Sequence, residues 1–79
     1  MAMKKRVADK MLQAVLSDLE LQKFGGYAPA DVDGLSVDDA VVSENAVVHA
    51  VGVIIDRIDD GASEREVYNE VNEFLKNNI

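Results

Sequence analysis

The segment Ala46-Val47-Val48-His49-Ala50-Val51-Gly52-Val53-Ile54-Ile55-Asp56-Arg57-Ile58 admits two interpretations. Its β-branched side chains, Val47-Val48 and Val53-Ile54-Ile55 above all, lose rotamer freedom in a helix and suit a strand. The spacing argues the other way. Val47, Val48, Val51, Ile54, Ile55 and Ile58 recur at intervals of three and four and occupy one broad helical face, while Asn45, His49, Gly52 and Asp56 fall on the other. Periodicity decides for a helix, and the chain is expected to be all-α.

The flanking segments agree. Between residues 3 and 23, Val7, Ala8, Met11, Leu12, Val15, Leu16 and Leu19 follow the same spacing, without an intervening Gly or Pro. Phe24-Gly25-Gly26-Tyr27-Ala28-Pro29 ends that helix: a glycine past the last turn supplies a left-handed cap, and Pro29 biases Ala28 away from helix. A loop is expected over 24–35. Ser36 with Asp39 behind it has the spacing of an N-cap, and Ser43 offers a second start. The second helix therefore spans 36–60, with a break near 43 if the second start is used. Asp59-Asp60-Gly61 closes it. Ser63 and Glu66 form a capping box that opens a last helix over 63–77, with Val67, Val71, Phe74 and Leu75 on its apolar face. Residues 1–79 form a single domain, a small bundle of three main helices, or four if the second is broken.

Composition bounds the function. The 79 residues are 48% hydrophobic, too many for an intrinsically disordered chain. A chain this short buries roughly 60% of its surface on folding, which disfavours a deep enclosed substrate cavity. Cysteine is absent, so disulfides and thiolate chemistry are excluded, and stability is expected from helix packing and self-association. Met1-Ala2-Met3-Lys4-Lys5-Arg6 is basic like the start of a secretory signal, but Asp9, Lys10, Gln13, Ser17 and Asp18 interrupt any apolar segment behind it. No apolar run approaches the about 18 residues of a membrane span. A soluble, cytoplasmic protein without a membrane partner is expected. With 15 acids against 8 bases, a net charge of −7, the surface repels phosphate backbones, so direct nucleic-acid binding is not expected.

Motifs for chemistry are missing. His49 is the only histidine, and its helical neighbours Asn45 and Gly52 offer neither a second metal ligand nor a carboxylate partner. Asp31-Val32-Asp33-Gly34 begins like a calcium loop, but it lacks a third ligand before the glycine, and the twelfth position is Val42. These are turn residues. Gly25-Gly26 follows a helix instead of joining a strand to one, the wrong context for a phosphate cradle. Neither a Ser, His and Asp set nor a Gly-x-Ser-x-Gly elbow is present. Acyl carrier proteins share the size and acidity, but Gly34-Leu35-Ser36-Val37-Asp38 is not their Asp-Ser-Leu attachment site. The chain is expected to be no enzyme and to need no cofactor or metal.

Charge is distributed unevenly. Residues 1–17 carry Lys4, Lys5, Arg6 and Lys10 against Asp9, a net of +3; residues 18–60 carry ten acids against Lys23 and Arg57, a net of −8. Asp56, Asp59 and Asp60 crowd the last turn of the second helix, where acids oppose the helix dipole. With Glu64 they are expected to face a basic surface on a partner, unless Asp59 and Asp60 complement the start of the third helix. Docking into an apolar groove would instead use Phe24, Tyr27 or Tyr68 as an exposed anchor. Gly52, set among Val48, Val51 and Ile55, costs about 1 kcal/mol in a helix interior and is expected to admit another helix, from this chain or a second subunit. Because the second helix is apolar around more than half its circumference, a homodimer or larger oligomer is expected, with Val48, Val51, Gly52 and Ile55 at the contact.

These features favour a non-catalytic interaction protein that docks on a partner with a basic or apolar groove and regulates or inhibits it, as small accessory proteins of bacteria, phages and mobile elements do. The alternative is a nucleic-acid mimic that blocks a DNA- or RNA-binding protein. A second alternative is a small anionic ligand held at an oligomer interface by Lys4, Lys5 and Arg6.

Overall fold

A computed structural model describes residues 5–58 and 62–78. Its central element is α5 (Ala46–Arg57), and Asn45 sets where that helix begins. The Asn45 carboxamide oxygen accepts from the N–H groups of Val47 and Val48 at 3.0 and 3.1 Å, satisfying two donors that have no partner inside the helix. Its Nδ2 donates to the Gly25 carbonyl at 2.6 Å, tying the start of α5 to the end of a helix three elements earlier, which closes at Gly25.

The expected helix over 36–60 is therefore two. Ser36 caps α4 (Val37–Val41), its hydroxyl accepting from the Asp39 N–H at 3.2 Å. The break falls at Val42 to Asn45, where the Asn45 side chain competes successfully with continued helix. Once broken, the chain folds α4 back onto α5. A β-carbon on Gly52 would lie 2.7 Å from the Ala40 Cβ and 3.0 Å from the Ala40 carbonyl carbon and the Val41 nitrogen. Gly52 is the point at which the two backbones meet.

The first helix also divides. It forms α1 (Lys5–Leu16) and α2 (Leu19–Gly25) instead of one element over 3–23. Asp18 is extended, and its carboxylate accepts from the Glu20 and Leu21 N–H groups at 2.9 and 3.3 Å, while the Ser17 hydroxyl donates to the Gln13 carbonyl at 2.6 Å. Short polar side chains that can hydrogen-bond the nearby backbone favour such ends over helix interiors. Within the expected loop lies one further turn, α3 (Pro29–Val32), started by Pro29 and held by the Asp31 carboxylate, which accepts from the Ala28 N–H at 2.9 Å.

The chain closes with α6 (Glu64–Asn78), in whose first turn the Glu66 N–H donates to the Ser63 hydroxyl at 3.2 Å. The described residues contain only helices, so the all-α expectation holds. The three longest, α1, α5 and α6, touch one another, and α5 also contacts α2 and α4. Leu12, Val15, Leu16, Val51, Ile55, Val67 and Val71 fill the centre with almost no exposure. Two long-range hydrogen bonds fix the layers: Asp9 on α1 accepts from the Val37 N–H at 2.9 Å, and the Tyr68 hydroxyl donates to the Ala14 carbonyl at 3.1 Å. No described helix is long and apolar enough to cross a membrane.

Candidate functional site

The C-terminal half of α6 separates two grooves. On one side, α2 and α6 enclose about 490 Å³, floored by Leu21, Tyr68 and Leu75 and edged by Asp18, Glu20, Asn72 and Lys76. Phe24, in the last turn of α2, lines this groove with 53% of its surface exposed. On the other side, α5 and α6 enclose about 550 Å³. Ala46, Ala50, Val53 and Ile54 form one wall and Phe74 the other, with His49 and Arg57 at the edge. Leu75 lines both grooves, and Phe74 keeps 41% of its surface exposed.

The two tyrosines expected at a docking surface have different places. Tyr27 is buried, 8% exposed, and its hydroxyl donates at 3.0 Å to the Leu16 carbonyl, the last of α1. That carbonyl lies past the reach of intrahelical donors, so the phenol closes the helix end. The ring packs so tightly against Gly25 that a β-carbon there would lie 2.6 Å from it. Tyr27 thus holds the α2–α3 turn against α1, with little of its ring at the surface. Tyr68 is half-buried and floors the α2/α6 groove with its hydroxyl engaged by α1.

Both phenols are held in the neutral form. Burial pushes the Tyr27 pKa up to about 12 from 10.0, and the Asp18 carboxylate and the Tyr68 phenol add to the shift. Burial also raises Tyr68, with further upward pressure from Asp18 and Glu64. A folded-state pKa above the unfolded one gives stability that is complete below the unfolded value and lost as pH climbs through the folded one. The melting temperature is expected to fall between about pH 10 and 12. Tyr27→Phe should lose about 1 kcal/mol at neutral pH and flatten this alkaline limb, as thermal melts across the range would register. An unchanged limb in that variant would remove Tyr27 as its source.

Comparison with family models, curated proteins and solved structures gives no match.

The remaining sequence-derived candidates sit as follows. Asp56 and Glu64 are exposed, while Asp59 and Asp60 lie outside the described residues, as do Lys4 and the side chain of Lys5. Arg6 is exposed at the start of α1. Val48, Val51, Gly52 and Ile55, expected at a subunit contact, are buried inside the chain. His49 is exposed, with its Nδ1 2.6 Å from the Val41 carbonyl. A carbonyl only accepts, which assigns the proton to Nδ1 and makes His49 a cap on α4. Among the described residues no three His, Asp or Glu side chains are grouped to hold a metal.

Ala46, Ala50, Val53 and Phe74 line a groove without having stood out as site residues in the sequence. Their signal was present: Ala46, Ala50, Val53 and Arg57 recur at spacings of four, three and four on α5, with Ala50 buried and the other three reaching the surface.

Proposed function

We propose that this chain is a non-catalytic interaction module that docks on a partner protein through the α2/α6 groove. One observation carries this reading. A largely exposed aromatic, Phe24, stands over an apolar floor whose edge holds Asp18 and Glu20. An exposed aromatic continuous with an apolar groove floor makes a contiguous apolar patch of the kind that marks interaction sites, and aromatic anchors in pockets dominate interface energetics. The acids select what covers them. Asp18 and Glu20, with Lys76 the one cation among the described residues of the rim, favour a partner presenting an apolar knob ringed by Lys or Arg.

The test uses a leucine–lysine amphipathic helical peptide as the probe and backbone amide NMR shifts of the labelled protein as the readout. Shifts are expected in α2 and the C-terminal half of α6, weakening as salt rises, with no binding of the matching leucine–glutamate peptide. Glu20→Lys should weaken binding about threefold to fivefold at low salt. Phe24→Ser should weaken it by about thirtyfold or more. The nucleic-acid mimic predicts the reverse order, with Phe24 indifferent and shifts spread over exposed carboxylates away from the groove. That result, or no binding, would overturn the groove reading.

A further inference from the structure

The α2/α6 groove is electrically polar along its length. At one end Asp18 and Glu20 stand with Tyr68, whose hydroxyl is bonded to the Ala14 carbonyl one turn before Asp18. Tyr68 lies close enough to Asp18 for the carboxylate to raise its pKa. At the other end stands Phe24, next to Gly25, whose carbonyl is tied to Asn45 at the start of α5. Leu75 lies at that same end, since it shares the α5/α6 groove with Ala46 and Val47, and Lys76 follows it on the rim. Tyr68, Asn72 and Lys76 recur every four residues, so the α6 wall runs from an aromatic to a cation. Glu20 and Phe24 are also four apart, so the α2 wall runs from a carboxylate to an aromatic. The carboxylates and the ammonium thus lie at opposite ends of an apolar middle. The seven residues of α2 set that span at about 10 Å.

We propose that the partner segment in this groove is a short amphipathic helix of fixed polarity, with a Lys or Arg meeting Asp18 and Glu20 and, two turns further towards its C-terminus, an Asp or Glu meeting Lys76. This polarity rests on docking through the groove and adds to it a direction and a register. Two turns of helix advance about 11 Å, which matches the span from the acidic end to Lys76. Apolar residues three and four positions after the cation then fall on the same face, over Leu21 and Leu75 and against Phe24. An extended segment advances about 3.3 Å per residue and alternates its side chains, so a cation and an anion about three residues apart would point to opposite faces. Direction follows from the helix dipole of the partner segment, whose positive N-terminus is favoured beside carboxylates and whose negative C-terminus is favoured beside an ammonium.

The probe is a leucine-striped helical peptide with one lysine followed about seven residues later by one glutamate, carrying a nitroxide at either end. With the isotope-labelled full chain, the N-terminal nitroxide should broaden the amides of Asp18, Glu20 and Tyr68 more than those of Phe24 and Lys76, and the C-terminal one should reverse that order. Lys76 is exposed, so Lys76→Glu should keep its helical circular dichroism. It should weaken the peptide about threefold to fivefold at low salt, and exchanging the peptide's glutamate for lysine should undo the loss. Absence of binding, or binding indifferent to Phe24→Ser, overturns docking through the groove and the polarity with it. Binding that needs Phe24 overturns the polarity alone if both nitroxides broaden the two ends alike, if Lys76→Glu leaves the affinity unchanged, or if the bound peptide is extended.

Discussion

Gly52→Ala is expected to destabilise the chain by about 1–3 kcal/mol, although alanine is the better helix former by about 1 kcal/mol. In an isolated helix the substitution would be favourable, so its sign here reports the approach of α4. The new methyl would fall 2.7 Å from the Ala40 Cβ and 3.0 Å from two backbone atoms of α4. Backbone cannot swing aside as the end of a side chain can, so α4 must move off α5, opening the core around Ala40 and Val37, which are 0% and 4% exposed. Adding Ala40→Gly removes the nearest clash but leaves the backbone contacts, and should recover only part of the loss. Urea unfolding of the three variants measures this. A Gly52→Ala variant more stable than wild type would mean that α4 is not seated on α5 as described.

Asn45→Ala should cost about 2–3 kcal/mol. Loss of an N-cap accounts for up to about 2 kcal/mol and loss of the hydrogen bond to Gly25 for about 1. The two roles are separable because they use different atoms. Asn45→Asp keeps the oxygen that accepts from Val47 and Val48, and adds a negative charge at the positive end of α5, where it is favoured. It loses the Nδ2 donor and places a carboxylate against the Gly25 carbonyl. Aspartate should therefore fall between the wild type and alanine. Equal losses in urea unfolding would mean that the tie to Gly25, and not the cap, dominates.

Helical class was legible because period governs it. In Ala46 to Ile58 the three and four spacing outweighed β-branched composition, and the Ser63 start of α6 is where its signature lies. Breaks were harder to see. Leu16 and Leu19 keep helical spacing straight through the division between α1 and α2, so the apolar pattern conceals what the Ser17-Asp18 pair does locally. The one-turn α3 is too short to show any period, although Pro29 followed by Asp31 is a start signal.

The site was less legible, since exposure is a property of the packed chain. Phe24, Tyr27 and Tyr68 are equivalent candidates in the sequence, and they sort into exposed, buried and half-buried only once α2 and α6 flank α1. The surplus of apolar surface on α5 was visible, but which face α4 would cover depended on Gly52 letting it approach. Val48, Val51 and Ile55 are covered; Ala46 and Val53 are left at the groove.

The proposed docking through the α2/α6 groove is tested most directly by a photocrosslinking residue placed at position 24 and, as a control, at exposed position 30, in cells producing the full chain. Position 24 should give an adduct with a different protein, and position 30 none. Absence of that adduct, or the same adduct from position 30, would contradict the proposed docking through this groove.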